Sequence, residues 1–441
     1  MTTEANFRTV RRHPSSTQTV GSPIDTRTPA QRDRDRILYS SSFRRLAQVT
    51  QVISADVGHV FHNRLTHSLQ VAQVGRRLAE RLRFLYPIEA KASGGIDPDV
   101  VEAACCAHDL GHPPFGHTAE VELNRLAGAE IDGFEGNAQS LRIVTELAQH
   151  STDPGRGLNL TRATLAATLK YPWFRGQNPM KPNKWGSYRS ESADFEFARE
   201  GLAGSQEPTV EAQIMDWSDD ITYSVHDLDD FFRAHRIPLH LFAEDTYKGE
   251  RLRFIEAIKA RHSGEDGWWS DEVAVENWIT QLFAGLFELS AAYTGSRKER
   301  GALRQFTSTL IGRYVKSTTL VEKNGKVHLT RPPRILNEVA MLKELTWVYV
   351  IEAPSLASQQ AGQRRVVREL FCIYMHAALT SDLDLFPPFF RDSIEDAAGD
   401  NKLIRRTVVD LIAGMTELQA LTMFRRLTGV SPGSGLDEIV R

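Results

Sequence analysis

Cysteine is scarce in this chain: Cys105, Cys106 and Cys372 are the only three in 441 residues, and no pair has CxxC spacing. Neither a disulfide framework nor a thiolate zinc site is supported, and a reducing, cytoplasmic setting is expected. No apolar run reaches the roughly 18 residues of a membrane span, so no membrane partner is expected. The N-terminal stretch mixes Arg8, Arg11 and Arg12 with Ser, Thr and Pro and has no signal-peptide core. An excess of one charge is missing too. The formal net charge is -3, so any affinity for phosphates must come from local clusters. Internal repeats are absent and alternating runs are few. What is present is ample core material, with 41% hydrophobic residues. Residues 1–28 are expected to form a loose tail and 29–441 a single large helical domain, with a metal-binding core at about 60–236 and a C-terminal helical part at about 237–441.

Helical periodicity dominates. From Asn63 to Tyr86, the residues Val71, Val74, Leu78, Leu82 and Leu85 recur at spacings of three and four, which predicts one long amphipathic helix. A second helix starts at Asp97-Pro98-Asp99, with Asp97 as cap and Pro98 at the first position, and is expected to end at Gly111. His108 and Asp109 then fall in its last turn, where a bend at Gly111 would let both reach one point. Further helices are predicted at 118–128, 137–150, 161–170, 207–236, 253–263 and 270–292, with several more from 334 to 428. Thr319–Leu329 is the exception, because Asn324-Gly325 suits the tight turn of a short hairpin. The expected fold is mainly α with at most that hairpin. Gly264-Glu265-Asp266-Gly267 reads as an ordinary turn.

Against this background one ordered set stands out: His67, the adjacent pair His108-Asp109, and Asp219 within Asp216-Trp217-Ser218-Asp219-Asp220. Two imidazoles and two carboxylates make a mixed nitrogen and oxygen set suited to a first-row divalent metal, and so to metal-assisted hydrolysis. A dense run of imidazoles follows, from His112 to His117. Asp216, Asp219, Tyr223, Asp227 and Asp230 form an acidic stripe opposite Ile214, Ile221, Val225, Leu228 and Phe232. The tyrosine within it favours a cleft over a solvated face. Between Lys170 and Arg189 the helical pattern breaks into a basic, aromatic loop containing Tyr171, Trp173, Trp185 and Tyr188.

These residues, with Phe43-Arg44-Arg45-Leu46, Asn63-Arg64-Leu65-Thr66-His67-Ser68, His108-Asp109-Leu110-Gly111-His112, His117-Thr118-Ala119-Glu120, Phe134-Glu135-Gly136-Asn137 and Lys170-Tyr171-Pro172, resemble the HD-domain deoxynucleoside triphosphate triphosphohydrolases, the bacterial dGTPase-like family. The matching motifs span about residues 27 to 420. The resemblance implies an HD-type helical fold with additional C-terminal helices. It also implies metal binding by His67, His108, Asp109 and Asp219, an acid/base pair of His117 and Glu120, and His112 as a second imidazole near the phosphates.

Arg64, Lys170 with neighbouring Tyr171, and Lys184 correspond to phosphate or substrate contacts, and Arg406 joins them on its distance from Gly414-Met415 alone. Gln51 and Asn137 are expected near the nucleoside, and Tyr223 with Asp227 at the sugar. The implied reaction splits a deoxynucleoside triphosphate into deoxynucleoside and tripolyphosphate. Mn2+ or Mg2+ is the expected metal, with Fe, Co or Ni as alternatives. A homo-oligomer, a hexamer in the family, and an allosteric nucleotide are implied partners. An HD phosphodiesterase would share the metal set, but His112 replaces the lysine of an HDxGK signature. A nuclease or single-stranded nucleic-acid binder would draw on the arginines from Arg27 to Arg45 and on the aromatic loop.

Overall fold

The computed structural model describes residues 7–13, 25–51, 62–152, 155–202, 204–243, 248–264, 267–283, 292–352 and 354–431. Within them the chain is mainly α, with one two-stranded antiparallel sheet. Three mutually packed helices form the centre. Arg64–Leu85 starts at a reciprocal cap, in which Asn63 Oδ1 accepts from Thr66 N–H and Thr66 Oγ1 accepts from Asn63 N–H. It buries Val71, Val74, Leu78 and Leu82 of the stripe its spacing predicts, while Leu85 in the last turn is exposed. Val210–Arg233, capped by Thr209, buries Ile214, Ile221, Val225, Leu228 and Phe232. Pro98–Ala107, capped by Asp97, lies against both. Each large apolar side chain so buried contributes roughly 1.5–3 kcal/mol, and together they fix the polar side chains that share these helices.

Several features depart from the sequence pattern. The second helix ends at Ala107, so His108 is its C-cap and Asp109 lies beyond it. The chain tightens there because Leu110 N–H bonds to Ala107 O at 3.2 Å and His112 N–H to Asp109 O at 3.2 Å. Gly111 is needed for close approach rather than for a left-handed bend: a Cβ would stand 2.1 Å from Gly136 O and 2.3 Å from Ser140 N. Residues 7–13, expected in a loose tail, are docked. Arg11 pairs with buried Asp33 at 2.5 Å and Arg8 with buried Glu211 at 2.6 Å, while Arg162 stacks on Phe7 at 4.0 Å.

The C-terminal helices do not form a core of their own. Helix His117–Ala127 gives Ala119, Leu123 and Ala127 to a cluster made otherwise of Phe115, Phe134 and residues from Val366 to Met423. The helix expected from residue 253 begins at Lys248, and the one expected over 270–292 runs Glu272–Phe283, with 284–291 outside the described residues. The strands Thr319–Lys323 and Lys326–Thr330 pair around Asn324 (φ 54°) and Gly325 (φ 73°), the turn their residue types predict. Glu265 and Asp266 of the predicted turn lie outside the described residues.

The aromatic loop is core rather than a stacking platform. Trp173, Trp185 and Tyr188 are buried against Ala138. The arginines that a nucleic-acid reading required are engaged within the chain: Arg34 with Glu102, Arg36 with the Leu158 and Asn159 carbonyls, and Arg27 and Arg32 with Asp25. No helix among the described residues is long and apolar enough to cross a membrane.

Candidate metal and hydrolase site

The three central helices and the turn after Ala107 bring His67, His108, Asp109 and Asp219 together. One ligand atom each from His67, His108 and Asp109 lies within 4.8 Å of the others. Asp219 Oδ1 joins them at 2.9 Å from His67 Nε2 and 3.6 Å from His108 Nε2. His108 Nδ1–H donates to Cys105 O at 2.6 Å, which fixes the tautomer and leaves Nε2 as the atom facing the cluster. That Nε2 is buried without a hydrogen-bond partner, the condition of an atom shaped to ligate. Arg64 Nη1 holds Asp109 Oδ2 at 2.8 Å and its Nε donates to Thr50 O. Asp109 Oδ1 is left facing His108 and His112 at 3.4 and 3.0 Å.

Burial opposes charge on both carboxylates, yet imidazole and cation neighbours hold Asp109 and Asp219 well below the usual range. Two imidazoles and two ionised carboxylates fit a divalent ion.

Beside this group lies the second expected pair. His117 Nδ1–H donates to Glu120 Oε2 at 2.7 Å, with the imidazole largely exposed and the carboxylate buried. His112 stands between: its Nδ1 is 3.0 Å from Asp109 and its ring meets that of His117 edge-on at 5.8 Å. Glu120 Oε1 accepts from Gly136 N–H at 3.2 Å and from Lys184 Nζ at 3.3 Å. His112, His117 and Glu120 are themselves close enough to hold an ion, but Lys184 already supplies positive charge to that carboxylate.

The remaining expected residues divide. Lys170 Nζ lies 2.5 Å from Asp216 and 3.6 Å from Asp219 Oδ2, above the Tyr171 ring at 5.8 Å. Tyr223 and Asp227 follow Asp219 on one helix face. Asp227 Oδ2 is buried without a partner, and burial, with Asp230 and Asp219 nearby, pushes this carboxyl well above its ordinary value. Asn137 donates from Nδ2 to Glu135 at 2.9 Å, which ties it to Lys184 rather than to the metal group. Gln51 is half-buried beside Thr50, its Oε1 unpartnered. Arg406 is committed elsewhere, stacked on Tyr188 at 3.8 Å and donating to Ile131 O and Gly133 O.

Sequence reasoning assigned no role to Glu135, although it stands inside a quoted motif. It also missed a hydrogen-bonded row beside Asp227, in which Asp230 accepts from His62, His62 from Gln70, and Gln70 from His226. Four polar residues, His62 just before one helix, Gln70 on it, and His226 and Asp230 on a helix far along the chain, carry no local signal of such a row.

A helical fold with a His and Asp cluster of this kind defines a metal-type phosphohydrolase of the HD class, and the HD domain family matches residues 64–224. A phosphohydrolase-associated domain matches residues 329–426. A deoxyguanosinetriphosphate triphosphohydrolase-like protein of Streptomyces coelicolor is 40% identical across 91% of this chain and 93% of its own. One from Corynebacterium efficiens is 36% identical across 95% of each chain, and one from Bifidobacterium longum 33% across 90% of this chain and 82% of its own. The chain belongs to the deoxyguanosinetriphosphate triphosphohydrolase-like family of HD phosphohydrolases.

Proposed function

We propose that this protein hydrolyses deoxynucleoside triphosphates to deoxynucleoside and tripolyphosphate. The observation that carries the reading is the position of His112, which touches Asp109 on one side and His117 on the other. A ligand-set and a proton-bearing dyad so arranged can act on a single phosphorus. A divalent ion, Mn2+ or Mg2+, held by His67, His108, Asp109 and Asp219 would polarise an α-phosphate oxygen and supply an activated water. Cleavage breaks the bond between the α-phosphorus and the 5'-oxygen, and His117 delivers a proton to that departing oxygen. Glu120 keeps the His117 Nδ1 proton in place, so Nε2 is the atom that exchanges with substrate. Lys170, Lys184 and Arg64 carry the positive charge nearest the polyphosphate.

Tyr223 packs on the deoxyribose and Asp227 accepts from, or shares a proton with, its 3'-hydroxyl. Burial and the nearby Asp230 and Asp219 carboxylates favour the protonated form of Asp227, which can also donate, so the sugar oxygen can serve as its missing partner.

Regulation by a second nucleotide in a homo-oligomer is part of this reading. A groove of about 610 Å³ lined by Arg44, Arg45, Gln48, Phe389 and Phe390 supports it. Arg45 joins that groove to the site, since it donates to Leu110 O and His112 O at 2.7 and 2.8 Å. The deciding experiment incubates purified protein with each dNTP and Mn2+ or Mg2+ and resolves products by phosphorus NMR. Tripolyphosphate supports the proposal, whereas deoxynucleoside monophosphate with pyrophosphate would overturn it.

A further inference from the structure

Lys184 stands between two carboxylates, and they hold it unequally. Its ammonium is 2.9 Å from Glu135 Oε1 and 3.3 Å from Glu120 Oε1. Glu135 is 1% exposed and has a second attachment: its Oε2 accepts from the backbone of Asn137 and Ala138, which caps the helix Gly136–Arg142. Asn137 Nδ2 and the Tyr188 hydroxyl pin the same residue from other sides. A buried carboxylate tied this firmly cannot follow Lys184, so Lys184 must follow it. Glu120 is the shared acceptor, receiving His117 Nδ1–H on one oxygen, with Gly136 N–H and Lys184 on the other. Whatever draws Lys184 closer to Glu120 weakens its hold on His117.

We infer that Glu135 is a positioning residue for the acid/base pair: it holds Lys184 off Glu120, so that Glu120 keeps enough negative charge to fix the His117 imidazole. This rests on the proposed role of His117 and Glu120. The competing explanation is that Glu135 only caps a helix. Glu135→Gln separates the two, because the amide oxygen can still accept from the Asn137 and Ala138 N–H groups while the charge that anchors Lys184 is gone.

The test compares the full-length wild type, Glu135→Gln and Lys184→Met by NMR of histidine-labelled protein, with the His117 signal assigned from its loss in His117→Ala. In Glu135→Gln, Lys184 falls onto Glu120 and the His117 Nδ1 proton moves upfield. In Lys184→Met, Glu120 loses its competitor and the same proton moves downfield. Should Glu135→Gln not fold, the downfield shift in Lys184→Met still decides whether Lys184 competes for Glu120. A His117 proton that stays at its wild-type position in a folded variant overturns the inference.

Kinetics provide a second readout. Glu135→Gln should lower kcat on the order of tenfold, short of the roughly 10² to 10⁴ of losing an acid/base group itself, and should have no further effect in an Glu120→Gln background. Strictly multiplicative losses would also overturn it. The NMR shifts do not depend on turnover, so a protein that hydrolysed no dNTP would remove the proposed reaction while leaving this inference to be judged on the shifts alone.

Discussion

His226 offers a quantitative test of how the polar row through Asp230, His62 and Gln70 is built. Asp230 can only accept, so His62 presents Nδ1–H to it at 2.7 Å. While His62 is neutral its Nε2 accepts from Gln70 Nε2 at 2.9 Å, which turns Gln70 Oε1 toward His226 and makes His226 Nδ1 a donor. Burial, with His62 stacked on it at 5.3 Å and His67 nearby, pushes the His226 pKa down from 6.5 to about 3.

The sign follows from linkage. A histidine neutral in the native state but free to protonate when unfolded costs stability as pH falls below 6.5, until the native group also protonates near 3. At pH 5 the unfolded chain gains about 1.5 pH units of protonation, or about 2 kcal/mol, and the full gap corresponds to about 5 kcal/mol. His62 works in the opposite direction. Burial opposes its charge, but its bond to Asp230 and the charges of Asp230 and Asp229 outweigh burial and the repulsion of Arg233, and its pKa is raised. Its contribution is therefore present at low pH and lost as pH rises.

Total stability mixes the two, so the decisive quantity is the difference between wild type and His226→Asn. Urea midpoints at pH 7 and pH 5, at fixed metal concentration, should show the wild type losing about 2 kcal/mol more than the variant. Equal losses would show that His226 is not held neutral by its burial beside His62 and His67.

Other expectations can be checked directly. Asp219→Ala should lower metal affinity by more than the roughly 10- to 100-fold typical of losing a partner one shell further out, while Asp220→Ala, which removes the ion-pair partner of Lys343, should retain metal; equal metal content in the two would remove Asp219 from the ligand set. His117→Ala and Glu120→Ala should each lower kcat by roughly 10² to 10⁴ with metal still bound, and the double variant should lose far less than the product. Gly111→Ala places a methyl 2.1 Å from a backbone oxygen, so a loss on the order of 1–3 kcal/mol is expected by thermal or urea melts, together with lower activity because the displaced segment carries Gly136 and Ser140; a wild-type melting curve would refute the clash. Tyr223→Ala should weaken dNTP turnover and narrow the dNTP to rNTP ratio in kcat/KM; an unchanged ratio in a folded variant would show that the ring does not sense the 2'-position.

The long helices were legible because their apolar spacing is uninterrupted, as in Val71, Val74, Leu78 and Leu82. The hairpin was legible from two residues, Asn324 and Gly325, whose positive φ values the turn demands. Pairwise contacts at short range also came through, such as His117 and Glu120 three residues apart. What stayed hidden depends on distant segments. The end of the helix at Ala107 is set by His108 reaching back to Cys105 O and by Ser140 bridging His108 O and Gly111 N–H. Neither contact has a local signature. The docking of residues 7–13 rests on Asp33 and Glu211, two buried carboxylates far along the chain. Trp185 and Tyr188 read only as part of a basic, aromatic loop because composition reports what is near in sequence, while their burial comes from packing with Ala138 and Trp173 and under Arg175 and Arg406.

The cations of the site are all neutralised by its carboxylates, and this bears on how a polyanion would enter. Lys170 lies on Asp216 and Asp219, Lys184 on Glu135 and Glu120, and Arg64 on Asp109. Leaving buried Arg64 without its carboxylate would cost several kcal/mol, and the partly exposed Lys170 and Lys184 are held in pairs as well. On the proposed reading, a triphosphate binds by exchanging partners: as Lys170 turns to phosphate, Asp219 keeps its charge for His67, His108 and the metal, and as Lys184 turns, Glu120 keeps its charge for His117. The same movement that binds substrate therefore strengthens both halves of the chemistry. Glu135 favours that exchange, because a lysine free to settle on Glu120 would be a poorer phosphate ligand and would weaken the acid/base pair as well.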